Sequence, residues 1–499
     1  MLSRRSRYSL LFLGFAALLL AIHLPLLTLP FHWDELGQFV PAALDLYRDG
    51  AWVPHSTLPN VHPPGVMLIL ALVWKVFGFS ILSARLTMLA IASAGVFLSF
   101  LLALRLSSKT DTTADLVTRQ PALAAIAFLL AAPLFYTQSM MVLLDMPAMT
   151  LTVLALLLFL NERYAASAIA ATALVLVKET SLSTPLVFAA WLWFREKRRR
   201  EALYFLAPAV ALGLWLVELH HVTGHWLGND EFARFNVSQS LGFGHILYAI
   251  GRRIYIHFLS DGHFLGAAAL LAGWRLLRGK AWTIAGLVVL AQTALVTLLG
   301  GAVLDRYMLP VLPILYIAFA VAGSVWTRHV RLTIQGAMVA LFFLGWFWNP
   351  PVPFPYENNL AMVDFVRLQQ KAAEYLQDHA AGKRIATAWP FSDAIANPDF
   401  GYVRQPLTLT VLTGGVRLSN LKKLNPQDFD LLVVYSAEWS VKGRVLDNTV
   451  VRSLVHAFLD PNINATPEEI RATLGFVPAQ RWTRGGQWIE IYIPRGTSL

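Results

Sequence analysis

The sequence predicts a polytopic α-helical membrane protein with a smaller α/β domain at its C-terminal end, outside the membrane. Of its 499 residues, 56% are hydrophobic and only 14% are charged, whereas soluble domains carry about 25% charged residues. Long apolar runs recur between residues 10 and 348. The proline-rich stretch Asn349–Pro355 then separates them from a C-terminal part with mixed helix and strand patterns.

Eleven apolar runs are predicted to cross the membrane, because a span needs about 20 predominantly apolar residues. The first run follows a basic N-terminus and lacks a small-residue cleavage site, so it is predicted to be a retained span and not a signal peptide. The predicted spans are 10–29, 82–104, 121–137, 146–160, 165–178, 181–195, 202–219, 262–277, 281–300, 308–325 and 332–348.

The basic clusters predict how these spans are oriented. Positively charged residues collect on the cytoplasmic side of membrane proteins. With the N-terminus cytoplasmic, Arg195–Arg200 and the later clusters at Arg275 and Arg328 all fall on that side. The C-terminal part is then periplasmic, and the expected location is the inner membrane of a bacterium. This distribution indicates that the net charge of +10 reflects topology and not nucleic-acid binding.

The apolar segment Val66–Phe77 is predicted to lie along the outer membrane surface. It is about a dozen residues long, which is too short for a span. Counting it as a span would also move every later basic cluster to the outside. The predicted domains are therefore a transmembrane domain 1–349, with a first outer loop 31–81, and a periplasmic α/β domain 350–499.

Several elements of the C-terminal domain can be predicted. Residues 361–380 have helical periodicity, and 384–389 and 429–435 are typical of buried strands. Thr466-Pro467-Glu468-Glu469 forms a predicted capping box. Two runs, 476–482 and 487–493, predict a hairpin.

The predicted topology brings polar side chains from distant segments to the outer face. Ionisable groups near a membrane are costly, so their placement is informative. A mixture of acids and cations at one membrane–water boundary suits the transfer of a group from a lipid phosphate to a hydroxyl. An acid takes the acceptor proton, and cations stabilise the departing phosphate. The residues are Asp34, Glu35, Asp145, Lys178, Arg85, Arg306, His62 and Tyr307.

Each of these residues also has a purely structural alternative. Asp34 and Asp145 could cap helices, Glu35 could be a solvated first-turn acid, and His62 could stiffen a turn. Arginine and lysine side chains at helix ends also reach ordinary lipid headgroups. Tyr307 could belong to an aromatic belt, and Glu179 is expected to be a surface partner of Lys178.

These motifs, in this order and spacing, resemble the polyprenyl-phosphate-dependent glycosyltransferases of the C-type fold. The resemblance is strongest to the bacterial branch of protein mannosyltransferases and lipid A aminoarabinose transferases, and it covers residues 1–350. The motifs are the acid pair Asp34-Glu35, His62-Pro63-Pro64, FGFSILSARL, Leu144-Asp145-Met146-Pro147, Val177-Lys178-Glu179 and Arg306-Tyr307-Met308-Leu309-Pro310.

The resemblance implies an inverting hexosyl- or pentosyltransferase on the periplasmic face that uses a polyprenyl-monophosphate sugar donor. Asp34 would be the base or the acid that binds the acceptor, and Asp145 the second acid. Lys178 would bind the donor phosphate, whereas His62 stands where some relatives carry Lys-Pro. Some members of the family bind a divalent metal near the first loop. The sequence defines no ligand set for one here, so a metal stays open.

Two other functions are compatible with the sequence. One is a transporter or flippase of a lipid-linked or anionic substrate, which the absence of inverted repeats and of mid-membrane charges disfavours. The other is a ligase or polymerase that uses a lipid-diphosphate donor. The identity of the sugar, and whether the acceptor is a lipid, a glycan or a protein, are not encoded in any recognisable motif. The same holds for the role of the C-terminal domain and the oligomeric state.

Overall fold

The computed structural model describes residues 4–107, 116–350, 354–436 and 464–497, together with Ser453. Residues 351–353 of the predicted proline-rich linker lie outside the described residues. The chain divides into two compact units. The helical unit comprises Met1–Leu27, Pro41–Phe79 and Ser83–Phe347, and the sheet unit comprises Thr28–Val40, Ser80–Leu82 and Trp348–Leu499.

Seventeen α-helices lie between Arg4 and Gly345 in the part of the chain that the structure describes. They are α1 Arg4–His23, α2 Val40–Asp49, α3 Gly65–Phe77, α4 Ile81–Ser107, α5 Leu116–Ala131, α6 Pro133–Gln138, α7 Asp145–Leu160, α8 Tyr164–Val177, α9 Ser183–Ala190, α10 Arg199–Leu203, α11 Leu206–Thr223, α12 Asp230–Ala233, α13 Phe243–Phe258, α14 His263–Gly273, α15 Lys280–Leu298, α16 Leu312–Ala322 and α17 Arg328–Gly345.

Every predicted span coincides with one or more of these helices, but the helices are more broken than the eleven spans suggest. Pro133 begins a new helix one residue after α5 ends, so the span predicted at 121–137 consists of two pieces. Among the described residues, six helical segments are long and apolar enough to cross a membrane. They are Ser6–Leu26, Ile81–Ser107, Arg199–Thr223, Phe243–Leu276, Lys280–Leu298 and Asp305–Val325.

The predicted spans 202–219 and 262–277 leave residues 220–261 as a loop, but much of this stretch is helical. Helix α11 continues to Thr223 and ends at Gly224, whose left-handed backbone (φ +76°) suits a residue without a Cβ atom. Helix α13 occupies the second half of the predicted loop. Its hydrophobic and aromatic residues are interrupted by Arg252 and Arg253, and this pattern hid the helix from a search for uninterrupted apolar runs.

Small residues allow the helices of this unit to approach closely. A Cβ atom at Gly95 of α4 would collide with Met149 and Thr150 of α7. Gly266 of α14 packs in the same way against Phe319 of α16. Helix α16 is buried along its whole length. It is therefore an interior helix. Small residues such as Gly266 on a neighbouring helix allow that helix to pack closely against it.

Helix α3, predicted as the interfacial segment, has 13 residues and would span about 20 Å, less than the roughly 30 Å hydrocarbon core. Its buried face includes Val66, Leu70 and Trp74, whereas Phe77 is exposed. Its first residue, Gly65, lies so close to the Leu176 carbonyl of α8 that a Cβ atom would clash. The first residue of α3 is thereby held against the end of α8. That α3 lies in the membrane plane stays a prediction.

The described residues of the sheet unit form a five-stranded mixed sheet with the order β2-β1-β3-β5-β4. Strand β1 is parallel to β2 and β3, whereas β5 is antiparallel to β3 and β4. The predicted hairpin and the capping box at Thr466 are confirmed, and strand β2 is an addition to the predicted elements. The strands are β1 Ile385–Ala388, β2 Leu409–Leu412, β3 Leu431–Tyr435, β4 Phe476–Arg484 and β5 Gln487–Pro494, and the α-helices are α18 Ala361–His379, α19 Phe391–Ala396, α20 Leu418–Leu421 and α21 Pro467–Leu474.

Candidate active site

A buried cluster of charged side chains forms where three segments of the helical unit meet. Asp145 is the first residue of α7, Lys178 directly follows α8, and Arg306 lies in the 3-10 helix Asp305–Val311. Lys178 Nζ donates a hydrogen bond to Asp145 Oδ1, and Arg306 Nε lies 3.3 Å from Asp145 Oδ2. All three residues are at most 4% exposed. We call these residues the charge cluster.

The local sequence explains why Asp145 and Lys178 stand at helix ends. Pro147 falls in the first turn of α7, where no intrahelical donor is required, so the helix can begin at Asp145. Lys178 has an extended backbone (φ −150°, ψ 114°), which ends α8. The Asp145 carboxylate binds the two cations, and no side-chain cap is present at this end of α7. The helix-capping alternative is thereby excluded for Asp145.

The aromatic ring of Tyr307 lies beside the charge cluster. Lys178 Nζ is 4.5 Å from the centre of the Tyr307 ring, and the guanidinium carbons of Arg306 and Arg253 are each 5.9 Å from it. Cations at these distances are attracted to the ring face. Tyr307 therefore helps to hold several positive charges close together. A residue that served only in an aromatic belt would not need these contacts with three cations.

His62 and Glu179 form a second pair of polar side chains, and Glu179 directly follows Lys178 of the charge cluster in sequence. His62 Nδ1 lies 2.8 Å from Glu179 Oε2, and the His62 ring packs edge-on against Phe232. The expectation that Glu179 is a surface partner of Lys178 is wrong, because Lys178 is bound to Asp145. Burial alone would raise the pKa of the Glu179 carboxyl. The charge and hydrogen bond of His62, with the charge of Lys178, outweigh burial and lower this pKa from its ordinary value.

Arg85 is fully buried in α4, and its Nη1 donates a 2.9 Å hydrogen bond to the Met140 carbonyl. Met140 belongs to the turn that leads into α7 and Asp145. Arg85 thus supports the segment that carries the charge-cluster acid. Its role as a direct ligand of the donor phosphate stays a prediction.

Three charged residues near the charge cluster were not singled out as site residues from the sequence. Arg252 Nε lies 2.7 Å from Asp305 Oδ1, and a second bond joins the same two side chains. Arg253 donates to the carbonyl of Leu304 at 2.7 Å. Both arginines therefore hold the segment immediately before Arg306. The signal was available, since two adjacent arginines in an otherwise apolar and aromatic stretch are unusual.

The predicted acid pair Asp34-Glu35 belongs to the sheet unit. Glu35 is fully buried, and its Oε2 accepts a 2.8 Å hydrogen bond from the backbone N–H of His32. Asp34 is half-buried and precedes a five-residue π-helical turn, and its side chain does not cap that turn. The capping alternative is therefore excluded for Asp34 too. That Asp34 and Asp145 act on one substrate stays a prediction.

Among the residues that the structure describes, the group best placed to hold a metal is Asp45, Asp49 and His55, whose ligand atoms lie within 4.8 Å of one another. Asp49 and His55 are exposed, and Asp45 Oδ2 already accepts hydrogen bonds from the backbone N–H groups of His55 and Ser56. Asp45 thus serves as a brace for its loop. We assign no metal to this group.

Comparison with known proteins identifies the fold. No family model and no curated protein sequence matches the chain. The crystal structure of ArnT from Cupriavidus metallidurans bound to undecaprenyl phosphate aligns with a TM-score of 0.58 and 14% identity, over 97% of this chain and 98% of ArnT. Its apo state aligns with a TM-score of 0.55 and 15% identity, over 98% of both chains.

A cryo-EM structure of the arabinofuranosyltransferase AftD from Mycobacteria also aligns, with 14% identity over 99% of this chain and 40% of AftD. Its TM-score is 0.46, and no conclusion is drawn from it. The two ArnT structures cover both units of this chain from end to end. The chain is thus a multi-pass membrane protein with the C-type glycosyltransferase fold and a C-terminal α/β domain, as its sequence predicted.

Proposed function

We propose that this protein is an inverting membrane glycosyltransferase that moves a sugar from a polyprenyl-monophosphate donor to an acceptor hydroxyl. The reaction is placed on the periplasmic face of a bacterial inner membrane. The observation that carries the proposal is the charge cluster, in which two buried cations share one acid. The fold adds support, because ArnT, which shares it, was crystallised with undecaprenyl phosphate.

The charge cluster suits a phosphate leaving group. Lys178 and Arg306 contribute two positive charges, and Asp145 contributes one negative charge that lies between them. A buried, preorganised charge is worth far more than one in water, since it needs no reorganisation when the phosphate departs. Removing one such group typically costs about 2.7–4 kcal/mol of transition-state stabilisation. Lys178 and Arg306 are thus the proposed ligands of the donor phosphate, with Tyr307 and His62 beside them.

The remaining step is a single displacement at the anomeric carbon. Asp34 takes the proton of the acceptor hydroxyl while that oxygen bonds to the anomeric carbon. The bond from this carbon to the phosphate oxygen breaks, and its electron pair leaves with the polyprenyl phosphate. One displacement inverts the configuration of the sugar. Asp145 is bound to both cations, so its proposed task is to position them and not to take a proton.

A transfer assay tests this proposal. Purified protein is incubated with a panel of polyprenyl-phosphate sugars and an acceptor extract, and labelled product is measured. Wild-type protein should transfer at least one sugar, and Asp34→Asn should lower the rate by about 10²–10⁴-fold, the usual contribution of a general base. Asp378→Asn, an exposed acid on α18, serves as the control and should transfer normally.

Two outcomes would overturn the proposal. One is an Asp34→Asn variant that folds and transfers at the wild-type rate, which would remove Asp34 as the base. The other is wild-type protein that moves the intact lipid-linked sugar across a proteoliposome membrane without transferring it. That result would instead indicate a flippase.

A further inference from the structure

The segment that carries Asp34 and Glu35 is built into the sheet unit. Residues 28–40, which we call the acid segment, group with Trp348–Leu499 although more than 300 residues of sequence separate them. Two hydrogen bonds anchor the start of the segment. The backbone N–H of Phe31 donates to the Phe400 carbonyl at 3.3 Å, and the Tyr402 hydroxyl donates to the Phe31 carbonyl at 2.8 Å.

The acid segment packs against the residue that follows strand β1. The rings of Trp33 and Trp389 lie 4.6 Å apart in an edge-to-face arrangement, and Trp33 also lies 6.0 Å from the Phe365 ring of α18. Trp389 is itself held in place, because the Tyr435 hydroxyl at the end of β3 donates to its carbonyl at 2.7 Å. In parallel sheets the carboxyl ends of neighbouring strands are the usual place where a ligand is bound. In this sheet the acid segment contacts that edge.

Two backbone features show how closely the acid segment is fitted. Trp33 has φ +50°, a left-handed conformation that a bulky residue adopts only when its surroundings enforce it. A Cβ atom on Gly37 would lie 2.7 Å from Nε1 of Trp389. Asp34 and Glu35 lie between these two constrained positions. Their place on the sheet unit is therefore set from both sides by contacts with Trp389.

We propose that the C-terminal domain is the platform that positions the acid segment, and that Trp389 is a positioning residue for Asp34. The domain is then an integral part of the active site and not a separate binding module. Its task is to present Asp34 in one orientation. This inference rests on the proposed function for its kinetic consequence, but the docking of the segment does not depend on which reaction is catalysed.

A size-compensation experiment tests the contact. Gly37→Ala should lower kcat by about 10²-fold, the loss expected when a catalytic group is misplaced by about 1 Å, and leave KM for the polyprenyl-phosphate donor unchanged. Trp389→Phe removes the ring atoms that a new Cβ atom would meet, so Gly37→Ala/Trp389→Phe should recover most of the lost kcat. Gly286→Ala in α15, where the added Cβ meets no atom within 4 Å, is the matched control.

The proposal is overturned if Gly37→Ala keeps the wild-type kcat, or if its loss is equal in the presence and absence of Trp389→Phe. A loss of purely structural origin would lower the thermal stability of Gly37→Ala together with kcat, whereas misplacement of Asp34 lowers kcat in a protein that keeps its thermal stability. Thermal unfolding of each variant is therefore measured alongside kcat.

A cross-link tests the docking without any activity. The chain has no cysteine, so a disulfide between introduced cysteines can be assigned directly. A Cβ atom at Gly401 would lie 3.5 Å from Cβ of Pro30, which is within the disulfide range. Gly401 has φ +89°, and Cδ1 of Ile81 would lie 2.6 Å from the new Cβ atom, so this side chain must move to admit the cysteine. Pro30→Cys/Gly401→Cys should form the bond on oxidation, with Gly401→Cys alone showing that position 401 accepts cysteine. A double variant that folds but does not cross-link would refute the docking. Cross-linking in a protein without transferase activity would instead refute only the proposed function.

Discussion

Asp145 in the helical unit and Glu35 in the sheet unit are both buried acids next to a predicted span end, yet their surroundings differ. Asp145 contacts the side chains of Lys178 and Arg306. Glu35 accepts a hydrogen bond from the neutral backbone N–H of His32. The first arrangement concentrates charge where a phosphate could bind, and the second fixes the local shape of a turn. Burial alone therefore does not reveal the role of an acid, because the role depends on the charge of its partner.

This contrast can be tested by substitution, and the largest loss of stability is expected for Asp145→Asn. It leaves Lys178 and Arg306 buried together without the anion, and breaking a buried ion pair in this way costs about 3–5 kcal/mol. Denaturant unfolding in mixed detergent micelles measures the loss. Asp145→Asn/Lys178→Met should recover part of the stability, because it removes the uncompensated charge as well. If Asp145→Asn changed the free energy of unfolding only slightly, the ion pairs of Asp145 with Lys178 and Arg306 would not be important for stability.

A smaller loss of stability is expected for Arg85→Met. This variant tests whether the hydrogen bond from Arg85 to the Met140 carbonyl stabilises the turn before Asp145. The Met140 carbonyl then loses its charged donor inside the protein, at a cost of about 1–3 kcal/mol. The same unfolding assay reports it, with exposed Arg404→Met as the control. If Arg85 acts only on the phosphate, Arg85→Met should leave the stability unchanged and lower the transfer rate alone.

The pair His62–Glu179 predicts a pH dependence of stability of roughly 1 kcal/mol. The folded-state pKa of Glu179 lies below its ordinary value of 4.5. Its contribution to the free energy of unfolding is thus complete above pH 4.5 and is lost as the pH falls through the folded-state pKa. Unfolding of the wild type and Glu179→Gln should differ at pH 7 and converge in acid. A constant difference across this range would show that the carboxylate charge is unimportant.

The smallest effect is expected for Glu35→Gln, at about 0.5 kcal/mol, the low end of the value of one hydrogen bond. The glutamine oxygen can accept the same hydrogen bond from the His32 N–H, so this bond is kept. The transfer rate should remain close to that of the wild type, in contrast to Asp34→Asn. A loss as large as that of Asp145→Asn would contradict the distinction between the two buried acids and would support the prediction that Glu35 is catalytic.

Much of the architecture could be predicted from local sequence. The long apolar runs determined the helical membrane unit, because each run needs only its own residues to become a helix in lipid. The capping box at Thr466 and the hairpin of β4 and β5 are equally local. Helix α13 escaped prediction, since its charges satisfy partners such as Asp305 that lie far away in sequence.

The sequence by itself determined which charged residue types stand next to the predicted spans, including Asp34, Asp145, Lys178 and Arg306. Only the tertiary structure decided their partners. Lys178 binds Asp145 instead of its neighbour Glu179, because its extended backbone ends α8 and Asp145 begins the adjacent α7. Tertiary contacts also joined residues 28–40 to the C-terminal sheet through Trp33 and Trp389. Such contacts depend on packing between distant segments, and no local pattern of sequence encodes them.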